Sequence, residues 1–415
     1  MKDKTRIKLR EKFKNFSKRT TIHAIPNIVS NEQKIFKIMW TGCLIASLIY
    51  CGKILTSSIK DFYEYKVLTR FELIQESSSP FPMITFCNLN QFDLSKNDDL
   101  INLANSLFDK EYNVSGLDTR ESFDLIKNEF LQMVNSSELN KVRFELKDML
   151  INCYFKGVRC FESDFEFINN DNYGNCYSFN SGKNGSDIRN SSKYGPEYGL
   201  QLELFIGLSE SYFSPLSSVS GLILFINNQT TPMNDYDPIV ELPPGSLTNL
   251  ALNRIIKQKL SYPYSDCIDS SLSINSMENY ARHSCLNVCR DEYITNNCNQ
   301  TRTNECLINS RNFCIDDNNK CPQECEQVTY RVSSLSSSDY PSLFYEKVLA
   351  NNALIKNKKL IDSNDYKSSL LAVNIYYDTD TFEKITEVPE TNLSNLIAQI
   401  GGQFGLFLGI NAFFL

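Results

Sequence analysis

Two stretches of the chain are apolar enough to leave water, and they stand near its two ends. The first, residues 35–59, is mostly apolar and has two charged residues, Lys37 and Lys53, whose long side chains can reach the surface of a bilayer. The second, residues 392–415, carries no charge and is long enough to cross the hydrocarbon layer as a helix. The pattern therefore predicts two transmembrane helices that flank residues 60–391.

Small residues recur along the second stretch at steps of three and four, which places them on one helical face. They are Ala398, Gly401, Gly402, Gly405, Gly409 and Ala412. Such a face lets membrane helices pack closely, and glycines at a constriction expose carbonyl oxygens that can replace the water around an ion. The spacing alone leaves two interpretations open, an anchor with a packing face or a pore helix.

Between the two stretches, the pattern changes to short alternating runs and longer runs with helical spacing. The alternating runs predict strands near residues 83–87, 199–205, 221–226 and 370–377. Helical spacing predicts helices within 97–148, 277–295 and 350–362. Strands and helices grouped in this way favour an α+β domain.

Basic residues are concentrated at the start of the chain. Residues 1–34 hold ten Lys or Arg against three acidic residues, although the whole chain has a net charge of −7. A basic segment before an apolar span predicts a cytoplasmic N-terminus, so that two spans leave both termini inside and residues 60–391 outside. The alternative, a basic tail that binds nucleic acid, lacks a basic bias in the rest of the chain.

Fourteen cysteines are present, and eight of them lie between Cys267 and Cys325. This density predicts a disulfide framework in an oxidising compartment. Zinc binding by the Cys-xxx-Cys pairs of this region is the competing interpretation. Glycosylation sequons favour the disulfides, and they stand at Asn113, Asn135, Asn184, Asn190, Asn228, Asn299 and Asn392.

Few residues or motifs that could support catalysis are present. The chain has two histidines, His23 and His283, and the predicted topology puts them on opposite sides of the membrane. Neither a phosphate-binding loop nor a metal motif of the right spacing is present. We therefore expect no enzymatic activity and no cofactor.

Three segments are similar to one protein family. IGGQFGLFLG at 400–409, FPMITFCNLN at 81–90 and the cysteine-containing stretch 149–182 with YSFNSG closely resemble the epithelial sodium channel/degenerin/acid-sensing ion channel family, the amiloride-sensitive sodium channel family. The resemblance implies an α+β fold in which two transmembrane helices flank a large, disulfide-rich, hand-like ectodomain with a central antiparallel β-sheet. The implied parts are a cytoplasmic N-terminus (1–34), a first helix (35–59), an ectodomain (60–391) with a thumb-like region at about 267–325, and a second helix (392–415).

The resemblance also assigns roles within the last helix. Gly409, Ile410 and Asn411 stand where the family has its Gly-x-Ser selectivity filter. Ala398 matches the position at which bulky residues lock degenerin channels open, and Gly402 matches an amiloride contact. Together with Gly401 and Gly405, these two residues form the expected pore and gate face.

Two further roles lie outside that helix. His23 stands at the family's His-Gly gating motif, although Ala24 replaces the glycine; a lone histidine in a cytoplasmic tail is the alternative. Tyr264 is expected to pack on Tyr63 or Tyr65 and to couple the ectodomain to the pore, unless these are unrelated interfacial tyrosines.

The family's disulfide pattern supplies a pairing. It implies Cys87–Cys176, Cys153–Cys160, Cys267–Cys325, Cys285–Cys321 and Cys298–Cys314. Two cysteines of the family's thumb are replaced here, by Gln300 and Asn319. The cysteines left over, Cys289 and Cys306, are expected to pair with each other.

The function that the resemblance implies is a subunit of a trimeric, stimulus-gated, amiloride-sensitive sodium channel in the plasma membrane. Its partners would be sodium ions, membrane lipid, amiloride as a blocker, and related subunits in a homo- or heterotrimer, with no nucleic acid. The alternative is a non-conducting regulatory or dominant-negative subunit. It is kept open by Ile410 and Asn411 and by a last helix that is expected to be truncated, since the chain ends six residues after Gly409. An anchored binding protein without a pore is a third hypothesis, against which IGGQFGLFLG argues.

Overall fold

The computed structural model describes most of the chain. The described residues are 11–12, 15–22, 24–115, 120–170, 172–183, 187–207, 216–217, 219–229, 233, 239–269, 280–298, 310, 312–314, 320–339, 351–356, 360 and 363–409. Two compact units are present. One comprises Met1–Arg70, Leu260–Asp266 and Thr386–Leu415, and the other comprises Phe71–Lys259 and Cys267–Ile385. We call them the helical unit and the β-rich unit.

Helices and strands alternate along the described chain. The helices are α1 (Ala24–Ser30), α2 (Lys34–Tyr63), α3 (Asp98–Ser115), α4 (Arg120–Met133), α5 (Ser136–Val142), α6 (Leu146–Met149), α7 (Arg282–Asn297), α8 (Ala353–Lys356), α9 (Ser363–Ser369) and α10 (Leu393–Leu408). The strands are β1 (Val67–Gln75), β2 (Ser79–Pro80), β3 (Met83–Asn88), β4 (Leu150–Phe155), β5 (Val158–Arg159), β6 (Phe165–Asn170), β7 (Gly174–Phe179), β8 (Asn190–Ser191), β9 (Leu200–Phe205), β10 (Leu222–Asn227), β11 (Ile239–Leu242), β12 (Ser246–Gln258), β13 (Glu326–Asp339), β14 (Leu370–Tyr377) and β15 (Thr381–Pro389).

The strands form two main sheets. The larger has eight strands in the order β1-β15-β12-β14-β9-β4-β5, with β13 also paired to β12. The smaller has five strands in the order β11-β10-β3-β7-β6, and β2 pairs with β8 separately. The predicted antiparallel sheet needs one correction, because β12 and β14 run parallel. More than a hundred residues connect these two strands, which is ample for the crossover that a parallel pair requires.

The main core of the β-rich unit contains apolar side chains from both sheets. Alternate residues of β9 and β14 face each other in register, as Leu202 does with Val373, and they are fully buried in one cluster with Ile84 and Phe86 of β3. Alternation along a strand puts apolar residues on one face, so each sheet supplies one apolar layer. This explains why the sequence reads as short alternating runs.

A second core lies among the helices α3, α4 and α5. Leu100, Ala104 and Leu107 of α3 recur at helical spacing and are buried against Ile126 and Phe130 of α4. The helices predicted within 97–148 are therefore present, and their apolar faces meet one another.

Disulfides join neighbouring elements of the β-rich unit. The structure contains the predicted pairs Cys87–Cys176, Cys153–Cys160, Cys267–Cys325 and Cys285–Cys321. The first joins residues that lie directly opposite each other on β3 and β7.

The remaining pairing predicted for the thumb is wrong. Cys289 pairs with Cys314, which excludes both Cys298–Cys314 and Cys289–Cys306. Cys298 is also disulfide-bonded, and Cys306 lies outside the described residues. The physical reason is the face of α7: Cys285 and Cys289 are one turn apart, and both reach the same segment, which contains Cys314 and Cys321.

The helical unit contains α1, α2 and α10. Helix α2 starts one residue before the predicted span 35–59 and extends four residues beyond it. In the described part of the chain, α2 is the one helix long and apolar enough to cross a membrane. The described part of α10 has 16 residues, fewer than the roughly 20 that a spanning helix needs. Residues 410–415 of the predicted second span lie outside the described residues.

Candidate pore helix and its supports

Helix α10 has a defined start and a defined end. The side chain of Asn392 accepts a hydrogen bond from the backbone N–H of Asn395 at 2.7 Å, a typical N-cap. The helix ends at Gly409, whose φ of 72° is left-handed and whose N–H donates to the carbonyl of Gly405. A residue with a Cβ disfavours this conformation, which gives Gly409 a structural reason to be glycine.

One face of α10 packs on α2. Leu396 is buried, and the ring of Phe407 lies edge-on to Tyr50 with centroids 5.3 Å apart. The hydroxyl of Ser47 donates to the carbonyl of Phe407 at 2.6 Å. Positions 396 and 407 point in nearly the same direction from the helix axis. This face is therefore an apolar stripe with one polar contact, the hydrogen bond from Ser47.

The small residues of α10 lie about half a turn away from that stripe. Ala398, Gly401 and Gly402 are exposed, and Gly405 is half-buried. A Cβ added at Gly401 or Gly402 would meet no heavy atom within 4 Å. Among the described residues, nothing packs on the middle of this face, so the helix pairing inside this subunit leaves it open.

Gln403 is a residue of this helix that the sequence analysis did not single out. Its side-chain amide donates to the hydroxyl of Ser58 on α2 at 3.2 Å, and its carbonyl oxygen is buried with no hydrogen-bond partner among the described residues. A long polar side chain in an otherwise apolar helix was the signal that could have identified it.

A cavity of about 160 Å³ lies at the end of the α2–α10 pair that contains Phe407. It lies between α1, α2 and the end of α10 and is lined by Ile22, Ala24, Trp40, Cys43, Leu44, Ser47, Phe407 and Leu408. His23, the predicted gating residue, lies outside the described residues. Its two neighbours in sequence, Ile22 and Ala24, line this cavity.

The predicted contact between tyrosines is present at the other end of α2. The rings of Tyr65 and Tyr264 meet edge to face, with centroids 5.4 Å apart. Tyr63 packs on Tyr65 at 6.4 Å in the same geometry. Of the two alternatives in the prediction, Tyr65 makes the direct contact and Tyr63 supports it.

Hydrogen bonds hold the loop that carries Tyr264. The backbone N–H of Leu260 donates to the carboxylate of Glu387 at 3.2 Å, and the hydroxyl of Ser265 donates to the carbonyl of Leu260 at 2.6 Å. Glu390, just before α10, donates its N–H to the carbonyl of Lys66. The loop, the end of α2 and the start of α10 are therefore joined within the helical unit.

A charged cluster follows the end of α2. The ammonium group of Lys66 lies 2.8 Å from Glu64 and 3.2 Å from Asp61. The hydrogen bond from Lys66 lowers the pKa of Glu64, and the same bond raises the pKa of Lys66. The three groups form a polar cluster at the end of an apolar helix.

Several predicted residues fall outside this description. Ile410 and Asn411 of the predicted filter lie outside the described residues, as do Asn184 and Asn299, and the side chain of Asn113 is not described either. Asn135 and Asn190 are exposed, and Asn228 is half-buried. The glycosylation sites remain predictions.

These features define a class: a membrane protein with an exposed apolar helix, a paired helix with an open small-residue face, and a disulfide-bonded β-rich unit. The chain belongs to the amiloride-sensitive sodium channel family, whose model matches residues 16–414. Members of this family are ion channels of the plasma membrane and not enzymes.

Curated relatives align over nearly the whole chain. Acid-sensing ion channel 1 of Gallus gallus is 26% identical, covering 95% of this chain and 80% of its own. Acid-sensing ion channel 2 of Rattus norvegicus is 26% identical over 95% and 82%, and the bile acid-sensitive ion channel of Mus musculus is 23% identical over 96% and 85%. A solved proton-activated chloride channel covers 90% of this chain and 94% of its own, but its TM-score of 0.38 and 6% identity support no conclusion.

Proposed function

We propose that this chain is a pore-forming subunit of a trimeric, stimulus-gated, amiloride-sensitive sodium channel in the plasma membrane. Three copies, or copies of related subunits, would surround an axis lined by α10. In this arrangement both termini are cytoplasmic, α2 and α10 span the bilayer, and the β-rich unit is outside. The disulfides of that unit support an oxidising location.

The observation that carries the proposal is the division of α10 into two faces. The side of α10 that packs on α2 contains Leu396, Gln403 and Phe407. Ala398 and Gly402 face away from α2 and are exposed. A helix that only anchored the chain would have no need of a second, open face made of small residues. Small residues allow several copies of α10 to approach one another and expose backbone carbonyls to an ion.

Self-association has support in the β-rich unit as well. β1 is an edge strand of the larger sheet, and its residues Phe71 and Leu73 are 66% and 78% exposed. Apolar side chains on an unpaired edge favour contact with another chain. We therefore expect the β-rich units of neighbouring subunits to share part of this surface.

The chemistry of the proposed pore is that of uncharged oxygen ligands. Gln399 is exposed on α10 and offers an amide oxygen, and Gly409 with Ile410 and Asn411 is the proposed filter. The charged residues nearest in sequence to α10 are on its N-terminal side, at Glu387 and Glu390. Carboxylates at that end would attract sodium ions before they enter the pore.

The tyrosine contact is the proposed route from the stimulus to the pore. Tyr264 lies on a loop whose neighbours in sequence, Lys259 and Cys267, belong to the β-rich unit. Any movement of those neighbours would be passed through Tyr264 to Tyr65 at the end of α2. The rings pack edge to face with their centroids 5.4 Å apart, a contact close enough to transmit small displacements.

Expression of the chain in oocytes tests the proposal. We expect an inward sodium current that is absent from uninjected cells and is blocked by amiloride, with the protein at the cell surface by biotinylation. Silence of a surface-expressed chain, together with suppression of a co-expressed relative, would overturn the conducting role in favour of the non-conducting regulatory subunit. Silence without suppression would overturn both roles.

A further inference from the structure

An open groove of about 410 Å³ lies on one face of the five-stranded sheet, at its edge strand β6. Side chains of β6 and β7 form its floor, and the segment from the end of α5 to the start of α6 forms its wall. Its lining includes Arg143, Lys147, Glu162, Phe167, Asn169 and Tyr177. We call it the β6 groove. It belongs to the β-rich unit, whereas the helix of the proposed pore belongs to the helical unit.

The strand register fixes the floor of the groove. Phe167 lies opposite Tyr177, and Asn169 lies opposite Asn175. Residues two apart on a strand share a face, so the four side chains stand on the same side of the sheet, with two rings next to two amides. The ring centroids of Phe167 and Tyr177 are 5.9 Å apart. Tyr177 is buried, but Phe167 is 57% exposed and offers apolar surface to a ligand.

Accessible polar groups flank that exposed ring. The guanidinium group of Arg143 donates to the side-chain oxygen of Asn169 at 2.8 Å, which leaves the N–H₂ group of that amide to donate. Arg143 has further N–H donors, and the carboxylate of Glu162 can accept. Arg143 is half-buried, and Asn169 and Glu162 are exposed. A molecule in the groove can therefore reach donors and acceptors as well as the ring.

The charges of the groove balance. Arg143 and Lys147 stand against Glu145 and Glu162, and Lys147 forms an ion pair with Glu145. A phosphate or sulfate group would meet the two carboxylates, and a cation would meet the two basic groups. The groove therefore favours a neutral ligand that has both an apolar face and several hydrogen-bonding groups.

A pyranose sugar has this combination. Its equatorial hydroxyls donate and accept around the rim, and its axial C–H groups form an apolar face that packs on the negative face of an aromatic ring. A cavity of about 150 Å³ accepts one six-membered ring, so a groove of about 410 Å³ has room for a sugar and its substituents. We propose that the β6 groove binds a neutral pyranose sugar, with the apolar face of the sugar on Phe167 and its hydroxyls on Arg143 and Asn169.

Two sources can supply such a sugar. One is the glycan predicted at Asn135, the residue that precedes α5. Its exposed side chain makes no capping hydrogen bond with the helix. At 1.5 Å per residue, Asn135 lies roughly 12 Å along the helix from Arg143, a distance that a glycan of several sugars can cover. The other source is a sugar from outside the chain.

Small sugars test the groove directly. The probes are methyl β-D-glucopyranoside and N-acetyl-D-glucosamine, and the control is sorbitol, which has the hydroxyls but no ring. Binding to the purified full chain is measured by saturation-transfer NMR in a detergent without a sugar headgroup. We expect at least one probe to bind with a Kd on the order of 1 mM and sorbitol not to bind. Equal binding of sorbitol and the two sugars would overturn the role of the ring.

Two exposed phenylalanines give a matched pair of variants that test the location. Phe167→Ala should weaken binding of the sugar about tenfold, because the apolar face loses its contact. Phe161→Ala removes a ring that is 60% exposed but lies outside the groove, and it should leave binding unchanged. Arg143→Lys keeps the charge but loses the planar set of donors, so it should also weaken binding. Thermal unfolding shows whether each variant folds, and undiminished binding to folded F167A would overturn the proposed site.

Removal of the predicted glycan distinguishes the two sources. If the glycan of Asn135 occupies the groove, the probes should bind to the Asn135→Gln variant and not to the glycosylated chain. If the sugar comes from outside, both proteins should bind the probes equally. Either result supports the groove as a sugar site, whereas absence of binding to both proteins would overturn it. None of these measurements depends on a current, so the proposal stands or falls separately from the channel activity.

Discussion

At the scale of single residues, the contact between the rings of Tyr65 and Tyr264 is the feature most directly tied to the proposed gating. Tyr65 has a positive φ of 50°, which is uncommon for a residue with a side chain, and its ring lies against Tyr264. Local strain of this kind persists where the surroundings over-determine it. Here the surroundings are the ring of Tyr63 and the backbone bond between Lys66 and Glu390.

The first prediction concerns this contact. Tyr65→Ala and Tyr264→Ala should each reduce the amiloride-sensitive current per surface-expressed subunit by several-fold. The double variant should lose no more than the worse single variant, because either change already removes the contact. Tyr262→Ala is the control, since that ring is 83% exposed. Additive losses in the double variant would show that the two rings act separately.

The second prediction uses the pKa of a tyrosine in the larger sheet. Burial raises the pKa of Tyr330 to about 12, against about 10 in the unfolded chain. Below pH 10 both states hold the proton, and between pH 10 and 12 only the unfolded chain releases it. The stabilisation is therefore complete below pH 10 and is lost as the pH rises towards 12.

Denaturant titrations at pH 9 and pH 11 measure this effect. Tyr330→Phe should lose less stability over that interval than the unaltered chain, by roughly 1 kcal/mol. Tyr194→Phe, at a residue 57% exposed, is the matched control and should change nothing. An unaltered pH dependence in Y330F would contradict the raised pKa of Tyr330.

At the scale of elements, the sequence identified those whose pattern is local. The strands β3, β9, β10 and β14 and the helices α3, α4 and α7 follow from alternation or helical spacing within a few residues. Strand β12 was not predicted, although it has 13 residues. Its stretch SLTNLALNRIIKQ has no strict alternation, and Arg254 interrupts it. The reason is visible in the fold: β12 has neighbours on both sides, and Arg254 is buried in an ion pair with Glu76 and under the ring of Phe382.

The disulfide partners of the two cysteines on helix α7 could not be predicted from sequence spacing alone. Cys285 and Cys289 lie one turn apart within the helix predicted at 277–295, and both leave the same face of α7. The choice between partners for Cys289 depends on how the segment with Cys314 approaches that face, which no local pattern encodes.

The third prediction is therefore a disulfide map. Digestion of the unreduced protein followed by mass spectrometry should give a peptide pair that contains Cys289 and Cys314, and a second pair that contains Cys285 and Cys321. A peptide pair that links Cys298 to Cys314 would contradict the structure at this helix.

At the scale of the whole molecule, the hydrophobic pattern predicted a mixed α and β structure and the first apolar helix, and the density of cysteines predicted that disulfides are present. The order of strands in the sheets was not accessible, because residues 259–325 separate β12 from its partner β13, and residues 259–369 separate it from its partner β14. Pairings so distant in sequence depend on the packed core as a whole. The spacing of small residues predicted one face of α10, but only the position of α2 shows that the opposite face is the one used within the subunit.

Accessibility of introduced cysteines shows whether the open face of α10 lines the ion path. Ala398→Cys and Ile397→Cys are compared in a Cys43→Ser background, since Cys43 is an exposed free thiol. Both positions are exposed, and they are neighbours on different sides of the helix. A positively charged thiol reagent is applied outside the cell during recording.

We expect the reagent to change the amiloride-sensitive current of A398C by more than about half. It should leave the current of I397C within about a tenth of its starting value, because only position 398 meets the ion path. Equal modification of both, or an inert A398C that reaches the cell surface and conducts, would contradict a pore lined by the small-residue face of α10.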